Sequence, residues 1–227
     1  MLFLAVFCGF LAEYQLEHIV EHKREKEYIE SMINDLETDS TRITSGINFN
    51  NRLVSGFDSL LQNIYLTPYT DSSIRTLYYL KETYTLARAS VIFSKATISQ
   101  LKNSGGLRLI RKRAVADSII RYDLSTERAE VQGEAVLWAS QKLLDLSVKV
   151  FDGENVSDYN SSSDYKDILR STQKFSLLTE DIKVIKEYAN LAKFKKDVTI
   201  NYIRQLKALQ SRIPAIIQFL EKEYHLE

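Results

Sequence analysis

The sequence predicts an all-α protein, an up-down-up-down bundle of four long helices whose first helix is continuous with an N-terminal membrane segment. Seven glycines and two prolines in 227 residues are too few for the frequent turns of a β-rich chain, so long uninterrupted helices are favoured. Apolar residues make up 44% of the chain and charged residues 26%, which is ordinary for a protein with a buried core. A seven-residue repeat of apolar side chains then indicates helices that pack along their length.

The chain begins with MLFLAVFCGFLA, which contains no charged residue. A membrane span needs about 20 apolar residues, but Glu13 follows directly, and no Lys or Arg precedes Lys23, so the basic start of a signal peptide is absent. We therefore predict a partial transmembrane segment over residues 1–20, its front lost through a misplaced start codon or truncation, and a helical bundle domain over residues 21–227. The alternative is a short apolar helix start that packs on the bundle.

The first helix is expected to run unbroken over roughly residues 2–66. From Ile29 onward, apolar side chains recur in two rows with a spacing of seven residues. One row holds Ile29, Leu36, Ile43, Asn50, Phe57 and Ile64, and the other holds Ile33, Ser40, Ile47, Val54 and Leu61. Ser40 and Asn50 are the polar members, and such a residue commonly sets helix register. Pro68 ends the helix, and residues 67–73 are predicted to form a turn.

Three further long helices and two short ones follow in the prediction. The second long helix spans about 73–91, with Asp71 or Ser72 as its N-cap, and a short helix covers 98–103. The third spans about 111–151, and a polar loop over 152–164 leads to a small helix that starts at Ser163 or Asp164. Thr179 caps the last helix, 180–224. Its predicted buried row is Ile185, Tyr188, Ala192, Lys195, Thr199, Tyr202, Leu206, Leu209, Ile213, Ile216 and Leu220.

Charge and cysteine content exclude several classes of function. Lys plus Arg equals Asp plus Glu at 30 each, so no overall positive field favours nucleic acid, and none is expected as a partner. The single Cys8 excludes an internal disulfide and a multi-cysteine zinc site. No catalytic triad order, nucleophile elbow or dinucleotide glycine pattern is present. We therefore expect neither an enzyme nor a bound cofactor or metal.

His18, Glu21 and His22 match the metal-binding pattern H-x-x-E-H. Two histidines four residues apart face the same way on a helix and can hold one zinc ion, with the glutamate as general base. The five-residue pattern arises easily in a helix rich in Glu and His, so a solvated interfacial patch is the favoured interpretation.

Two basic groups are candidate contact sites. Lys23, Arg24 and Lys26 follow the apolar start, where they could meet lipid headgroups, or they could form a solvated face in which Lys23 pairs with Glu27.

The second group lies just before the third long helix. Ser104, Gly105 and Gly106 form a tight turn, with Gly105 in the left-handed region, and cations cluster beyond it, namely Arg108, Arg111, Lys112 and Arg113. Backbone N–H groups and cations there could hold an anion or contact a partner protein. The alternative is a helical corner in which Leu107, Leu109 and Ile110 close the bundle end. Cations at a helix start oppose its dipole, so acidic neighbours are expected.

Three stretches together resemble an uncharacterised family of bacterial membrane-anchored all-helical proteins. They are FLAVFCGFLAEYQLEHIVEHKREKEYIESMINDLETD, TISQLKNSGGLRLIRKRAVADSIIRYD and LLTEDIKVIKEYAN. The resemblance implies one N-terminal transmembrane helix followed by a heptad-patterned region, in the bacterial inner membrane, and it brings no catalytic motif. The membrane side of the bundle stays open.

These patterns favour a non-enzymatic, membrane-anchored bundle that acts as a scaffold or protein–protein interaction module. Its expected partners are the membrane and either another protein or further copies of itself; a small-molecule ligand is unknown. The alternative is a ligand-sensing bundle that transmits helix shifts to the membrane, with Ser40, Asn50 and the tyrosines of the helix seams as the places for a ligand. A metal-dependent hydrolase at His18, Glu21 and His22 is the remote alternative.

Overall fold

The computed structural model describes residues 2–66, 68–103, 105–159 and 164–226. The side chains of Leu2, Leu4 and Ala5 lie outside this description, as do the predicted turn residues Thr67 and Ser104 and the predicted helix start Ser163. Within the described residues the regular structure is helical apart from one isolated antiparallel bridge between Phe151 and Leu177. The predicted all-α class is therefore confirmed.

Six α-helices make up the described part of the chain. They are α1 (Leu2–Ile64), α2 (Asp71–Tyr84), α3 (Ala96–Asn103), α4 (Arg113–Ser147), α5 (Tyr165–Ile168) and α6 (Ile182–Tyr224). Short 3-10 turns lie at Gly106–Arg108 and Gly153–Val156. The second helix has 14 residues and ends at Tyr84 instead of near Val91. The predicted set of four long helices is therefore not confirmed.

Helix α1 is continuous, as predicted, and its first apolar row is correct. All six members of that row, from Ile29 to Ile64, are buried. The second row is correct at Ile47, which is buried, but its other four members are only half-buried. The row of buried positions beside the first row lies one residue earlier, at Met32, Asp39, Gly46, Leu53 and Leu60. Asp39 and Gly46 carry no apolar side chain, so they conceal the true row from a hydrophobicity pattern.

The chain packs into two compact units, and each takes a segment from all three long helices. Unit 1 comprises Met1–Ile43, Ile92–Glu127 and Ala208–Glu227, and unit 2 comprises Thr44–Val91 and Arg128–Lys207.

Unit 1 is held together partly by buried carboxylates of α1. Asp39 accepts hydrogen bonds from the Tyr122 hydroxyl at 2.7 Å and the Ser94 backbone N–H at 2.8 Å. Burial raises the pKa of Asp39 above its ordinary value, while these hydrogen bonds oppose the rise. The segment before α3 is thereby fixed to α1, because two different chain segments satisfy the same carboxylate.

The core of unit 2 gathers aromatic and aliphatic side chains around Tyr78. Its ring packs edge-on against Phe151, with ring centroids 5.1 Å apart. The Tyr78 hydroxyl accepts from the Asp152 backbone N–H at 2.8 Å and donates to the Ser176 carbonyl at 2.7 Å. One buried phenol therefore ties both sides of the 152–176 connection to α2.

Close approach of α2 and the following extended segment to α1 depends on two glycines. A Cβ at Gly56 would lie 2.5 Å from the Tyr84 ring, and a Cβ at Gly46 would lie 2.6 Å from Val91. The earlier residue Tyr84 lies beside Gly56 and the later residue Val91 lies beside Gly46, so this segment runs antiparallel to α1. Glycine here provides space for packing and has no need of an unusual backbone conformation.

Lys195 of α6 explains why α2 ends at Tyr84. Its side chain is 0% exposed, and Nζ donates to the carbonyls of Tyr84, Thr85 and Ala87 at 2.9, 2.5 and 3.1 Å. The last carbonyls of a helix have no partner within the helix, and a lysine ammonium supplies three donors. Lys195 thus stabilises a helix end at a point where the apolar pattern of the sequence continues.

The remaining sequence predictions divide between confirmed and wrong. All predicted buried positions of α6 are buried except Ile216, which is half-buried. The predicted N-caps Asp71 and Ser72 are wrong, because Thr70 caps α2 in a reciprocal pair with Ser73. The predicted cap Thr179 lies before the start of α6 at Ile182.

Candidate functional site

Helix α1 begins with a segment whose large apolar side chains are solvent-exposed. Phe3 is 82% exposed and Phe10 is 71% exposed. The exposed set is Phe3, Val6, Phe7, Phe10, Leu11, Tyr14, Leu16, Ile19 and Val20. Exposed apolar surface of this extent on a folded protein generally marks a contact with lipid or with another protein.

This segment does not meet the requirements of a complete membrane span. In the part of the chain that the structure describes, no helical stretch combines the length and the apolar content needed to cross a bilayer. The transmembrane helix expected from the sequence is therefore not supported by the structure.

The three basic residues after the apolar segment, Lys23, Arg24 and Lys26, are all exposed. Lys23 lies 3.9 Å from the carboxylate of Glu27, which is the predicted pair. Exposed pairs of this kind contribute about 0–1 kcal/mol, so the lysine stays available to other anions at the same surface.

The corner before α4 is built by a glycine turn. Gly105 has φ +69°, in the left-handed region predicted for it, and Gly106 is buried at the start of a 3-10 turn. Glycine adopts the left-handed conformation without the steric cost that a Cβ imposes. The turn brings the cations that follow it against α1 and the end of α6.

Arg111 contacts α1 through both its side chain and its backbone. Its guanidinium lies 3.0 Å from His18 Nδ1 and 3.2 Å from Glu21 Oε2. Its backbone N–H donates to Glu25 Oε1 at 2.8 Å. The buried Glu25 also accepts from the Tyr224 hydroxyl at 2.5 Å, so one carboxylate joins α1, the corner and the end of α6.

The other cations of the corner have separate partners or face solvent. Lys112 pairs with Glu223 at 3.0 Å and lies over the Tyr224 ring, while Arg113 approaches Asp117 at 3.8 Å. Arg108 is exposed. The predicted acidic neighbours are therefore present. The four cations of the predicted anion site do not converge on one point, since three of them already face different carboxylates.

The residues of the metal-binding pattern, His18, Glu21 and His22, contact other side chains of the protein. The Arg111 cation contacts both His18 and Glu21, and His22 Nδ1 lies 3.4 Å from Glu25. Among the described residues, no group of three or more His, Cys, Asp or Glu side chains is arranged to hold a metal ion. The local geometry therefore makes this cluster a link between α1 and the corner.

Sequence reasoning missed the buried carboxylates of unit 1. Glu25, Asp39 and Asp123 are each 4% exposed or less. Asp123 pairs with Lys95 at 3.3 Å and with Lys102, so α4 is joined to α3 and the segment before it. The spacing in the sequence could have revealed two of these residues, because Glu25 lies seven residues before the buried Met32 and Asp39 lies seven residues after it.

Asn50, singled out as a possible ligand position, is satisfied largely by the backbone. Its Nδ2 donates to the carbonyls of Gly46 and Ala89 at 2.8 and 2.9 Å, and Oδ1 is buried without a hydrogen bond from the described residues. Ser40 is half-buried. Asn50 thus fastens the extended segment after α2 to α1, which is an assembly role.

Taken together, these side chains form ion pairs and hydrogen bonds that fix helices to one another, and the exposed apolar start of α1 is a surface without a partner among the described residues. No protein-family model, curated protein or solved structure matches this chain.

Proposed function

We propose that this chain is a non-enzymatic helical module that attaches to the bacterial inner membrane through the start of α1 and works as a scaffold or assembly partner. The observation that carries the proposal is the set of exposed apolar side chains between Phe3 and Val20. Burying one such side chain contributes about 1.5–3 kcal/mol, so their combined exposure to water is unfavourable. A lipid environment removes that exposure.

The distribution of these side chains supports lipid as the covering material. Phe3, Phe7 and Phe10 lie on one face of the helix, and Leu16 lies on the opposite face. A protein partner usually covers one face, whereas lipid surrounds a helix on all sides. The exposed cations that follow, Lys23, Arg24 and Lys26, are spaced suitably to meet anionic headgroups.

Flotation with liposomes tests the membrane part of the proposal. The full chain is mixed with vesicles of phosphatidylethanolamine and phosphatidylglycerol and centrifuged through a density gradient. We expect the wild type to float and the Phe7→Glu/Phe10→Glu variant to remain at the bottom. Val131→Glu is the matched control, because Val131 is an exposed apolar residue outside this segment. Flotation of the double variant at the wild-type level would contradict the proposal.

Cross-linking in native membranes tests the interaction part. The long helices of this chain form ion pairs with one another, and no convergent catalytic cluster has been identified in the described residues, so contact with a partner is the function its surface best supports. We expect cross-linked species larger than the monomer, either with another protein or with further copies of this chain. A chain recovered as monomer alone would contradict the scaffold.

The ligand-sensing alternative and the metal-dependent hydrolase stay predictions. Asn50 and Ser40 do not form an arrangement that favours a particular ligand. Metal analysis of the purified chain decides the hydrolase, since zinc bound by the wild type and lost in His22→Ala is what that function requires.

A further inference from the structure

A groove runs between α4 and α6 within unit 1. Its volume is about 550 Å³, and most of its lining residues are small or apolar. These include Ala114, Ser118 and Ser125 of α4 and Leu209, Ile216 and Phe219 of α6. Small residues on α4 leave space beside the larger apolar side chains of α6, so the groove follows directly from this composition.

The geometry of the groove suits a helix. Within unit 1, Lys112 before α4 contacts Glu223 at the end of α6, so the two helices run antiparallel. The 12 residues from Ala114 to Ser125 correspond to about 16 Å of helix, or three turns. Amphipathic helices that bind in grooves place anchors at intervals of three and four residues over this length.

The charge lining the groove specifies the partner. Arg121 and Arg212 line it, both are exposed, and neither makes an ion pair with a residue that the structure describes. No carboxylate is found among its described lining. An apolar floor with cations alone at its edge favours an apolar ligand that carries negative charge. A second copy of this chain seated symmetrically would bring arginine against arginine, which is unfavourable.

We infer that this groove binds an acidic amphipathic helix of a partner protein, with the apolar side chains of that helix in the groove and its carboxylates at Arg121 and Arg212. The inference rests on the proposed function, since it names the partner chemistry of the interaction module. Arg is also enriched among the residues that dominate binding energy at interfaces.

Peptide selection tests the inference without membranes. A phage-displayed library of 16-residue peptides is selected on the full chain and counter-selected on Ala215→Trp, which fills the groove from its α6 side. The counter-selection removes peptides that bind the apolar start of α1. We expect enriched peptides with apolar residues three and four apart and acidic residues beside them. Circular dichroism and thermal unfolding verify that the variant is folded, and Ser118→Trp replaces it otherwise.

Binding of an enriched peptide is then measured by fluorescence anisotropy. Arg121→Glu/Arg212→Glu is expected to weaken binding at least tenfold, while Arg204→Glu, an exposed arginine outside the groove, stays within twofold. Basic peptides, no enrichment over the counter-selection, or unchanged binding by the double variant would overturn the inference. Sedimentation that gives a dimer dissociated by Ala215→Trp would also overturn it, in favour of a second copy.

These outcomes separate the inference from the proposed function. If the chain floats with vesicles and forms cross-links but selects no groove peptide, the groove inference is contradicted and the proposed function stands. If the chain selects acidic peptides but does not float, only the membrane attachment is contradicted.

Discussion

The hydroxyl of Tyr122 on α4 donates a 2.7 Å hydrogen bond to the buried carboxylate of Asp39 on α1. Burial raises the pKa of the tyrosine, and the hydrogen bond to Asp39 raises it further, so the phenol stays protonated as a donor. Asp39 has the Ser94 backbone N–H as a second donor. Within unit 1, a polar pair thus occupies a position where a heptad row ordinarily has two apolar side chains.

Replacing Tyr122 with phenylalanine removes one donor from a buried carboxylate. Hydrogen bonds to charged groups contribute about 1.5–3 kcal/mol, and we expect the free energy of unfolding of Tyr122→Phe to fall by about that amount in urea titrations followed by circular dichroism. The control is Tyr65→Phe, whose hydroxyl belongs to an exposed residue. Equal effects of the two substitutions would show that the Asp39 contact contributes little.

Gly56→Ala tests the close packing of α2 against α1. Alanine is favoured over glycine in a helix by about 1 kcal/mol, but its Cβ would lie 2.5 Å from the Tyr84 ring. Overpacking typically destabilises by about 1–3 kcal/mol, so we expect a net loss of stability. Gly133→Ala is the control, because its nearest neighbours would be 3.7 Å away, and we expect it to stabilise. A stabilising Gly56→Ala would mean that the ring moves aside freely.

Lys195 predicts a distinctive dependence of stability on pH. Burial, assisted by the charge of Arg88, lowers the pKa of Lys195 to about 7. Between pH 7 and the ordinary lysine pKa near 10.5, the unfolded chain therefore binds more protons than the folded one. Stability rises with pH wherever the unfolded state binds more protons, by at most about 1.4 kcal/mol per pH unit for one group.

The measurement is a comparison of wild type and Lys195→Met in urea at pH 7 and pH 9.5. We expect the free energy of unfolding to rise more steeply with pH for the wild type than for Lys195→Met. The exposed Lys193 provides the control substitution, Lys193→Met, which should follow the wild type. Parallel pH profiles for wild type and Lys195→Met would contradict the lowered pKa.

Two glutamates one turn apart on α1 should differ in their effect on stability. Glu25 is buried and accepts from Tyr224 and from the Arg111 backbone, whereas Glu21 meets the Arg111 guanidinium at the surface. We expect Glu25→Gln to lower the free energy of unfolding by about 1–3 kcal/mol and Glu21→Gln by less than about 1 kcal/mol. The reverse order in thermal unfolding would disprove the assignment of Glu25 as the structural link.

The apolar pattern was sufficient for the helical class, the extent of α1 and the buried face of α6. It failed where a polar side chain or a glycine stands in the core. The predicted second row of α1 was off by one residue at Asp39 and Gly46, because neither has an apolar side chain. Each is buried through a contact with a distant segment, Asp39 with Tyr122 and Gly46 with Val91. Trp138 shows a further limit of the pattern, because this large apolar residue of α4 is 51% exposed and packs edge-on against Phe194.

The end of α2 and the candidate site were less predictable for the same reason. Lys195 lies 108 to 111 positions away in sequence from the carbonyls to which it donates. Arg111 and Lys112 lie 86 to 111 positions away from the glutamates that they contact. A sequence pattern identifies a cluster of cations as a possible anion site. It does not reveal that Arg111 already pairs with Glu21 and Lys112 with Glu223.

Neither compact unit is a continuous stretch of chain, and this has a consequence for how the protein can be cut and made. Unit 1 needs three separated segments and unit 2 needs two. No single proteolytic cleavage or stop codon therefore yields either unit by itself, and a nascent chain must include at least part of α6 before either core can close.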